Sequence, residues 1–184
     1  CKLIDYVVVV MPQADVDEMR GDWLKKYDIV REVVAGGEQR QDSVYNGFNS
    51  LENGTDIVVV HDGVRPFTTS KMITATVEEA EKHGAAITAI PVSDTIKHVV
   101  DSFVKETISR VGLWRVQTPQ AFDYRLLEQA FKKAKKDSYY GTDEGALIEY
   151  LGAQVKVVQG SELNIKITRK EDLLLAESLL SSIK

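Results

Sequence analysis

Apolar runs alternate with helix-period stretches along most of this chain. "LIDYVVVVM" is a β-branched run closed by Pro12, and "ADVDEMRGDWLKKY" behind it has helical character. "IVREVVAGG" reads as a short strand ending in two glycines. In "QRQDSVYNGFNSL", Val44, Phe48 and Leu51 share one helical face. "DIVVVHDGVRP" is the third apolar run, "TSKMITATVEEAEKHG" a helix closed by Gly84, and "AAITAIPV" the next strand. Strands separated by helices of this length predict βαβ units and a parallel sheet. The runs are continuous rather than alternating, as in strands covered on both faces.

The order breaks once. "TIKHVVDSFVKETISRVGLWRVQTPQAF" holds two β-rich pieces, Ile96–Val100 and Val104–Ser109, on either side of "DSF". This predicts a hairpin or an extended arm. Its outward Val99, Val104 and Ile108 need a partner, and the pattern fits a second subunit as well as the parent domain. In the tail, "AQVKVVQG" and "LNIKIT" read as short strands. "TRKEDLLLAESLLSSI" reads as a helix with Thr168 as N-cap and Glu171 completing a capping box. Leu173, Leu174, Ala176, Leu180 and Ile183 supply its apolar face.

The 184 residues suffice for one domain with a substantial core. A net charge of −5 argues against nucleic acid or a membrane surface as the main partner. It leaves room for a local basic pocket that takes a phosphorylated small molecule. The single cysteine, Cys1, excludes an intramolecular disulfide framework and a cysteine zinc cluster. No apolar run is long enough to span a bilayer and no signal-peptide pattern is present, so a cytoplasmic protein is expected. The chain opens at Cys1 and enters a strand almost at once, as expected of a chain that starts within a domain.

Ligands of open α/β sheets bind at the carboxyl ends of strands, and four polar constellations fall there. "AGGEQRQDS" sets two glycines between a strand and a helix, where backbone N–H groups can approach an anion or a base edge; taken alone, a plain turn with Asp42 or Ser43 as structural groups is the favoured reading. "HDGVRP" puts Asp62 just past a buried strand, able to hold a hydroxyl, a ribose or a metal, and Arg65 where its fork can meet a phosphate. The alternative is that the two pair with each other and cap the turn. "PVSDTIK" and "SRVGLWRVQTPQAF" bring Thr95, Lys97, Arg110 and Thr118. "YGTDEGALIE" and "NIKIT" bring Thr142 and Asp143 at a helix start, where an N-cap is the plain reading, and Lys166 opposite Ile165 and Ile167. His61, His83 and His98 show no metal-site spacing. With no G-x-S-x-G elbow and no P-loop lysine, the inventory suits positioning and neutralising phosphates rather than covalent catalysis.

Six motifs, "GGEQRQDSVYNG", "VVVHDGVRPF", "PVSDTIK", "LWRVQTPQAF", "GTDEGALIEYLG" and "GSELNIKITRKEDLLLAE", stand in one order with tight spacing. Together they closely resemble the 2-C-methyl-D-erythritol 4-phosphate cytidylyltransferases of the non-mevalonate isoprenoid pathway. The resemblance implies a Rossmann-like nucleotidyltransferase fold: α/β, a mostly parallel sheet with helices on both faces, and an extended β-arm. It implies one cytidylyltransferase domain over residues 1–184, with 95–110 as a dimerisation arm. It implies transfer of CMP from CTP to the polyol phosphate with Mg²⁺, the metal being held mainly by CTP phosphates with Asp62 as a possible ligand. Gly37, Glu38 and Ser43 match the family's cytosine- and ribose-recognising turn, with Asp62 and Gly63 beside the nucleotide. The family often has aspartate where this chain has Glu38. Asp62 and Arg65 match its "HDxxRP" residues, and Thr95 and Arg110 its arm contacts to substrate. Thr118, Thr142 and Lys166 match groups lining the reacting phosphates. On this resemblance Lys166, Asp62 and Arg110 are the catalytic residues, and Arg110 comes from a partner subunit.

The family's opening strand and its glycine-rich loop "P-A-A-G-x-G-x-R-M" have no counterpart from Cys1 onward. The expectation is a native protein with an additional N-terminal portion, and a gap in the sheet of these residues. The nearest alternative is a cytidylyltransferase for ribitol 5-phosphate, which shares "HDxxRPF" and "NIK". The alternative of another class is a non-catalytic nucleotide-binding fragment.

Overall fold

The β-branched runs form strands and the helix-period segments form helices in a computed structural model that describes residues 1–183. The order is β1 (Val7–Met11), α1 (Gln13–Lys26), β2 (Val30–Ala35), α2 (Arg40–Asn49), β3 (Ile57–Val60), α3 (Ser70–His83), β4 (Ala85–Pro91), β5 (Ile96–Val100), β6 (Phe103–Ile108), β7 (Trp114–Asp123), α4 (Tyr124–Lys136), α5 (Glu144–Leu151), β8 (Lys156–Gln159) and α6 (Lys170–Ile183).

Strands β3, β7, β4 and β8 make one sheet in that order. β4 and β8 pair parallel, and β7 runs antiparallel to both β3 and β4. Three strands therefore share one direction and β7 opposes them. Along β3 the side chains divide between two cores. Val58 and Val60 join Phe48, Phe131 and Leu147 on the face of α2, α4 and α5. Ile57 and Val59 pack with Val77 and Ala80 of α3 on the other face. Helices on both faces follow from this alternation.

β7 is an addition to the sequence reading. Its centre carries buried Gln117, Thr118 and Gln120, which an apolar-run criterion passes over. Their side chains are satisfied there. The Gln117 amide donates to Ser161 O at 2.8 Å, and the Gln120 amide donates to Asp143 Oδ2 at 2.8 Å. Buried polar groups persist when they are bonded in this way.

β1 and β2 pair parallel as a separate two-stranded sheet, with α1 packed on them through Val16. No ladder joins β1 to β3. Between them lies a cavity of about 1410 Å³, lined by Val7 to Met11, Ile57 to Val60, Val44 and Phe48.

The break in the order is a free-standing hairpin of β5 and β6. Asp101 and Ser102 turn it with φ of +48° and +67°, the left-handed pair a two-residue hairpin requires. Its apolar residues Val99, Val100, Phe103 and Val104 are exposed, Phe103 at 79%.

Three tail expectations are corrected. "LNIKIT" forms no strand; it lies extended, and the Ile167 N–H donates to Val64 O at 2.8 Å. The cap of α6 is made by Asp172, not Glu171: its Oδ2 accepts from the N–H groups of Thr168 and Arg169 and from the Thr168 hydroxyl. Of the expected apolar face Leu173, Leu174 and Leu180 are exposed and Ala176 is buried; the Ile183 side chain lies outside the described residues.

Candidate active site

The turn after β2 is shaped by close approach. A Cβ on Gly37 would stand 2.4 Å from Asp42 Cβ, and one on Gly36 2.8 Å from Ser43 Oγ. Only glycine permits the chain to lie this tightly against the first turn of α2. The Gly37 N–H donates to Ser43 Oγ, which in turn donates to Gln39 O. The Gln39 N–H donates to Asp42 Oδ2. Glu38 is exposed at the tip. Arg40, the first residue of α2, points from this turn toward the end of β3.

There, one residue beyond β3 and His61, Asp62 is the hub. Its Oδ1 accepts from Arg40 Nε at 3.3 Å and Nη2 at 3.2 Å. Its Oδ2 lies 3.0 Å from Lys166 Nζ and 3.6 Å from Arg65 Nε. Arg40 Nη1 meanwhile donates to both oxygens of Glu144 at 2.9 Å. Glu144, the first residue of α5, is 1% exposed.

The loop that carries Asp62 is clipped in place. The Asp62 N–H donates to Thr118 Oγ1 at 3.0 Å, and that oxygen lies 3.0 Å from His61 Nδ1. His61 Nε2 faces Arg65 O at 3.1 Å. A carbonyl can only accept, so Nε2 carries the proton and Nδ1 accepts from the Thr118 hydroxyl. Arg65 is tied further by Nη1, which donates to Asn164 O at 2.8 Å, while the Asn164 amide donates to Thr118 O at 2.8 Å.

Electrostatics follow from these contacts. Burial opposes the charge of Asp62, but its bonds to Lys166 and Arg40 outweigh that, and its carboxyl sits below the ordinary value. Burial dominates at Glu144 and raises its carboxyl, with Arg40 pulling the other way. Burial pushes His61 down, consistent with a neutral imidazole. Three cations, Arg40, Arg65 and Lys166, meet Asp62 and Glu144 here, with Asp143 a further negative charge beside Glu144. Arginine and lysine are the side chains that bind phosphate oxygens.

Of the residues expected from sequence, Asp62, Arg65 and Lys166 come together directly. Gly37 and Ser43 form the neighbouring turn, and Gly63 lies open beside Asp62. Thr118 is 3% exposed, with its hydroxyl used by Asp62 and His61. Thr142 is exposed just before Asp143, which caps α5 by accepting from the Ala146 N–H at 2.9 Å. Thr95 and Arg110 lie at the base of the hairpin, where Arg110 Nη1 donates to Ser93 O. Neither is hydrogen-bonded or ion-paired to Asp62 or Lys166 within this chain. Sequence reading missed Arg40, Glu144 and Asn164. For Arg40 and Glu144 the one available signal was a charged residue at a helix start, which a solvated position explains equally well.

A helix-flanked sheet with a tight glycine turn and a carboxylate ringed by cations at its strand ends suits a phosphorylated ligand, and comparison with known proteins places the chain among the nucleotidyltransferases. The family model "IspD: 2-C-methyl-D-erythritol 4-phosphate cytidylyltransferase" matches residues 1–182. A protein of that name from Syntrophus aciditrophicus (strain SB) is 47% identical over 181 residues, 97% of this chain and 77% of its own. Another, from Clostridioides difficile (strain 630), is 44% identical over 98% of this chain and 77% of its own. The crystal structure of a 4-diphosphocytidyl-2C-methyl-D-erythritol synthase from Anaerococcus prevotii DSM 20548 superposes with a TM-score of 0.89 at 35% identity, covering 98% of this chain and 83% of that one. The chain belongs to the 2-C-methyl-D-erythritol 4-phosphate cytidylyltransferase family.

Proposed function

We propose that this chain transfers CMP from CTP to 2-C-methyl-D-erythritol 4-phosphate, releasing pyrophosphate, in isoprenoid precursor synthesis. The observation that carries this reading is the Asp62 carboxylate held among Arg40, Arg65 and Lys166 beside the Gly36–Gly37 turn. An oxygen of the polyol phosphate attacks the α-phosphorus of CTP in line. The new P–O bond forms as the bond to pyrophosphate breaks, and no covalent enzyme intermediate is required. Lys166 neutralises charge building on the α-phosphate. The turn at Gly37, Glu38 and Ser43, with Gly63 opposite, receives cytosine and ribose. Arg65 and Thr142 face the polyol phosphate, and Thr118 acts through the loop that it clips.

Mg²⁺ typically takes one or two carboxylates, substrate phosphates and water. With the Asp62 oxygens engaged by Arg40 and Lys166, the ion would be held mainly by CTP phosphates, and Asp62 would serve as its protein ligand once Lys166 turns to the substrate. The ion would add charge neutralisation across the phosphates.

The active unit is a homodimer joined through the 95–110 arm. The exposed Val99, Val100, Phe103 and Val104 support this, as an apolar strip suited to a second copy. Thr95 and Arg110 at its base then reach the partner's polyol phosphate. We place the enzyme in the cytoplasm, where CTP is made; among the described residues no helix is long and apolar enough to cross a membrane. The slot between β1 and β3 takes a further strand of the native protein, supported by its apolar lining.

The test is pyrophosphate release from CTP with methylerythritol phosphate, with ribitol 5-phosphate alongside, for the wild type and Lys166→Ala. Release that requires methylerythritol phosphate and falls in the variant is expected. Preference for ribitol 5-phosphate, or nucleotide binding with no release, overturns the reading.

A further inference from the structure

We propose that Arg40 and Glu144 form a positioning pair that keeps Asp62 oriented, reserving Asp62 Oδ2 for Lys166 and for arriving substrate; this rests on the functional reading above. The geometry assigns the roles. One edge of the Arg40 guanidinium is fixed by Glu144, through two 2.9 Å bonds from Nη1. Glu144 is itself fixed as the buried first residue of α5. The other edge, Nε and Nη2, grips Asp62 Oδ1. The planar guanidinium makes the two attachments rigidly dependent, which a lysine ammonium could not do. Asp62 Oδ1 is thereby occupied and its carboxylate cannot rotate freely. Oδ2 is left facing Lys166 at 3.0 Å.

The arrangement also solves a problem of charge. To meet the α-phosphate, Lys166 must leave Asp62. If Lys166 and the more distant Arg65 were the only cations at that carboxylate, departure would leave a half-buried anion poorly compensated, and the lysine would be held back. Arg40 stays behind when Lys166 moves. Glu144 in turn moderates Arg40, so that it balances Asp62 without neutralising the site for good. Neither residue is expected to touch substrate. They act through Asp62 and Lys166.

Removing Arg40 alone strands Glu144, 1% exposed, as a buried charge and destabilises the fold. The informative variant is therefore the double Arg40→Met/Glu144→Leu, in which both charges go and apolar groups fill the space. It is expected to melt near the wild type. Its kcat is expected to fall about 10- to 100-fold, while KM for CTP stays within about three-fold. A double variant that keeps wild-type kcat overturns the proposal. Arg40→Lys keeps a charge but not the fork, and an intermediate kcat is expected; full kcat there overturns the proposal even if the double variant folds poorly. A crystal structure of either variant reads the orientation without turnover. Asp62 is expected to rotate so that both oxygens serve Arg65 and Lys166. An unmoved carboxylate overturns the proposal. Absence of pyrophosphate release by the wild type would instead overturn the functional reading, and the crystal structure would still decide this one.

Discussion

The ammonium of Lys166 lies 3.0 Å from Asp62 Oδ2, on a segment that joins no sheet. An extended loop delivers the cation, and the carboxylate at the end of β3 parks it. Lys166 is substantially exposed, so its pair with Asp62 adds little to stability. Lys166→Ala is expected to cut turnover about 100-fold or more and to shift the melting midpoint by only a few degrees. Steady-state assays paired with thermal melts check both.

Asp62 has the opposite profile. Its side chain is 13% exposed and surrounded by cations. Its folded carboxyl lies below the ordinary value, so its contribution to stability is present above about pH 4. That contribution is lost as the pH falls through the lowered folded value. Asp62→Asn should melt below the wild type at pH 7, by about 1–2 kcal/mol, and the gap should close in acid. Calorimetry across that range measures it. A gap that widens in acid would contradict the charge arrangement.

Thr118→Val tests the loop clip. Valine keeps the shape but leaves the Asp62 N–H and the His61 Nδ1 without their partner. A cost of about 1–3 kcal/mol is expected, with a fall in kcat as Asp62 loosens. Urea unfolding and turnover report the two effects.

Gly37→Ala pushes a methyl into the first turn of α2. Backbone shift there should cost about 1–3 kcal/mol and weaken CTP binding more than it lowers kcat. Isothermal titration with CTP separates these.

Phe103→Asp places a charge at the most exposed large apolar side chain of the arm. Sedimentation is expected to show monomers where the wild type shows dimers, with an unchanged circular dichroism spectrum. A wild type that sediments as a monomer would return the hairpin to its own domain.

Much of this was legible in the chain because it is local. A β-branched run ending in "HDGVRP" locates Asp62 and Arg65 at a strand end without knowledge of any neighbour, and "DSF" between two β-rich pieces marks the hairpin. What was not legible depends on distant groups. Arg40 and Glu144 each look like a solvated charge at a helix start, and only the fold, which brings the starts of α2 and α5 together, makes them an ion pair with Glu144 buried. β7 hid because its buried Gln117, Thr118 and Gln120 look polar until their partners are known. Its reversed direction is likewise set by topology, since a strand's pattern reads the same both ways. Glu171 was chosen as the α6 cap by motif spacing, whereas Asp172, one residue on, reaches back to Thr168 and Arg169.

The slot between β1 and β3 has one more consequence. Each of these strands ends its sheet with backbone donors and acceptors that no ladder uses, next to an apolar surface. Such margins are adhesive: they can template strand addition from any extended chain, including another copy of the same polypeptide. A strand laid in the slot would pair both margins at once and join the two sheets into one.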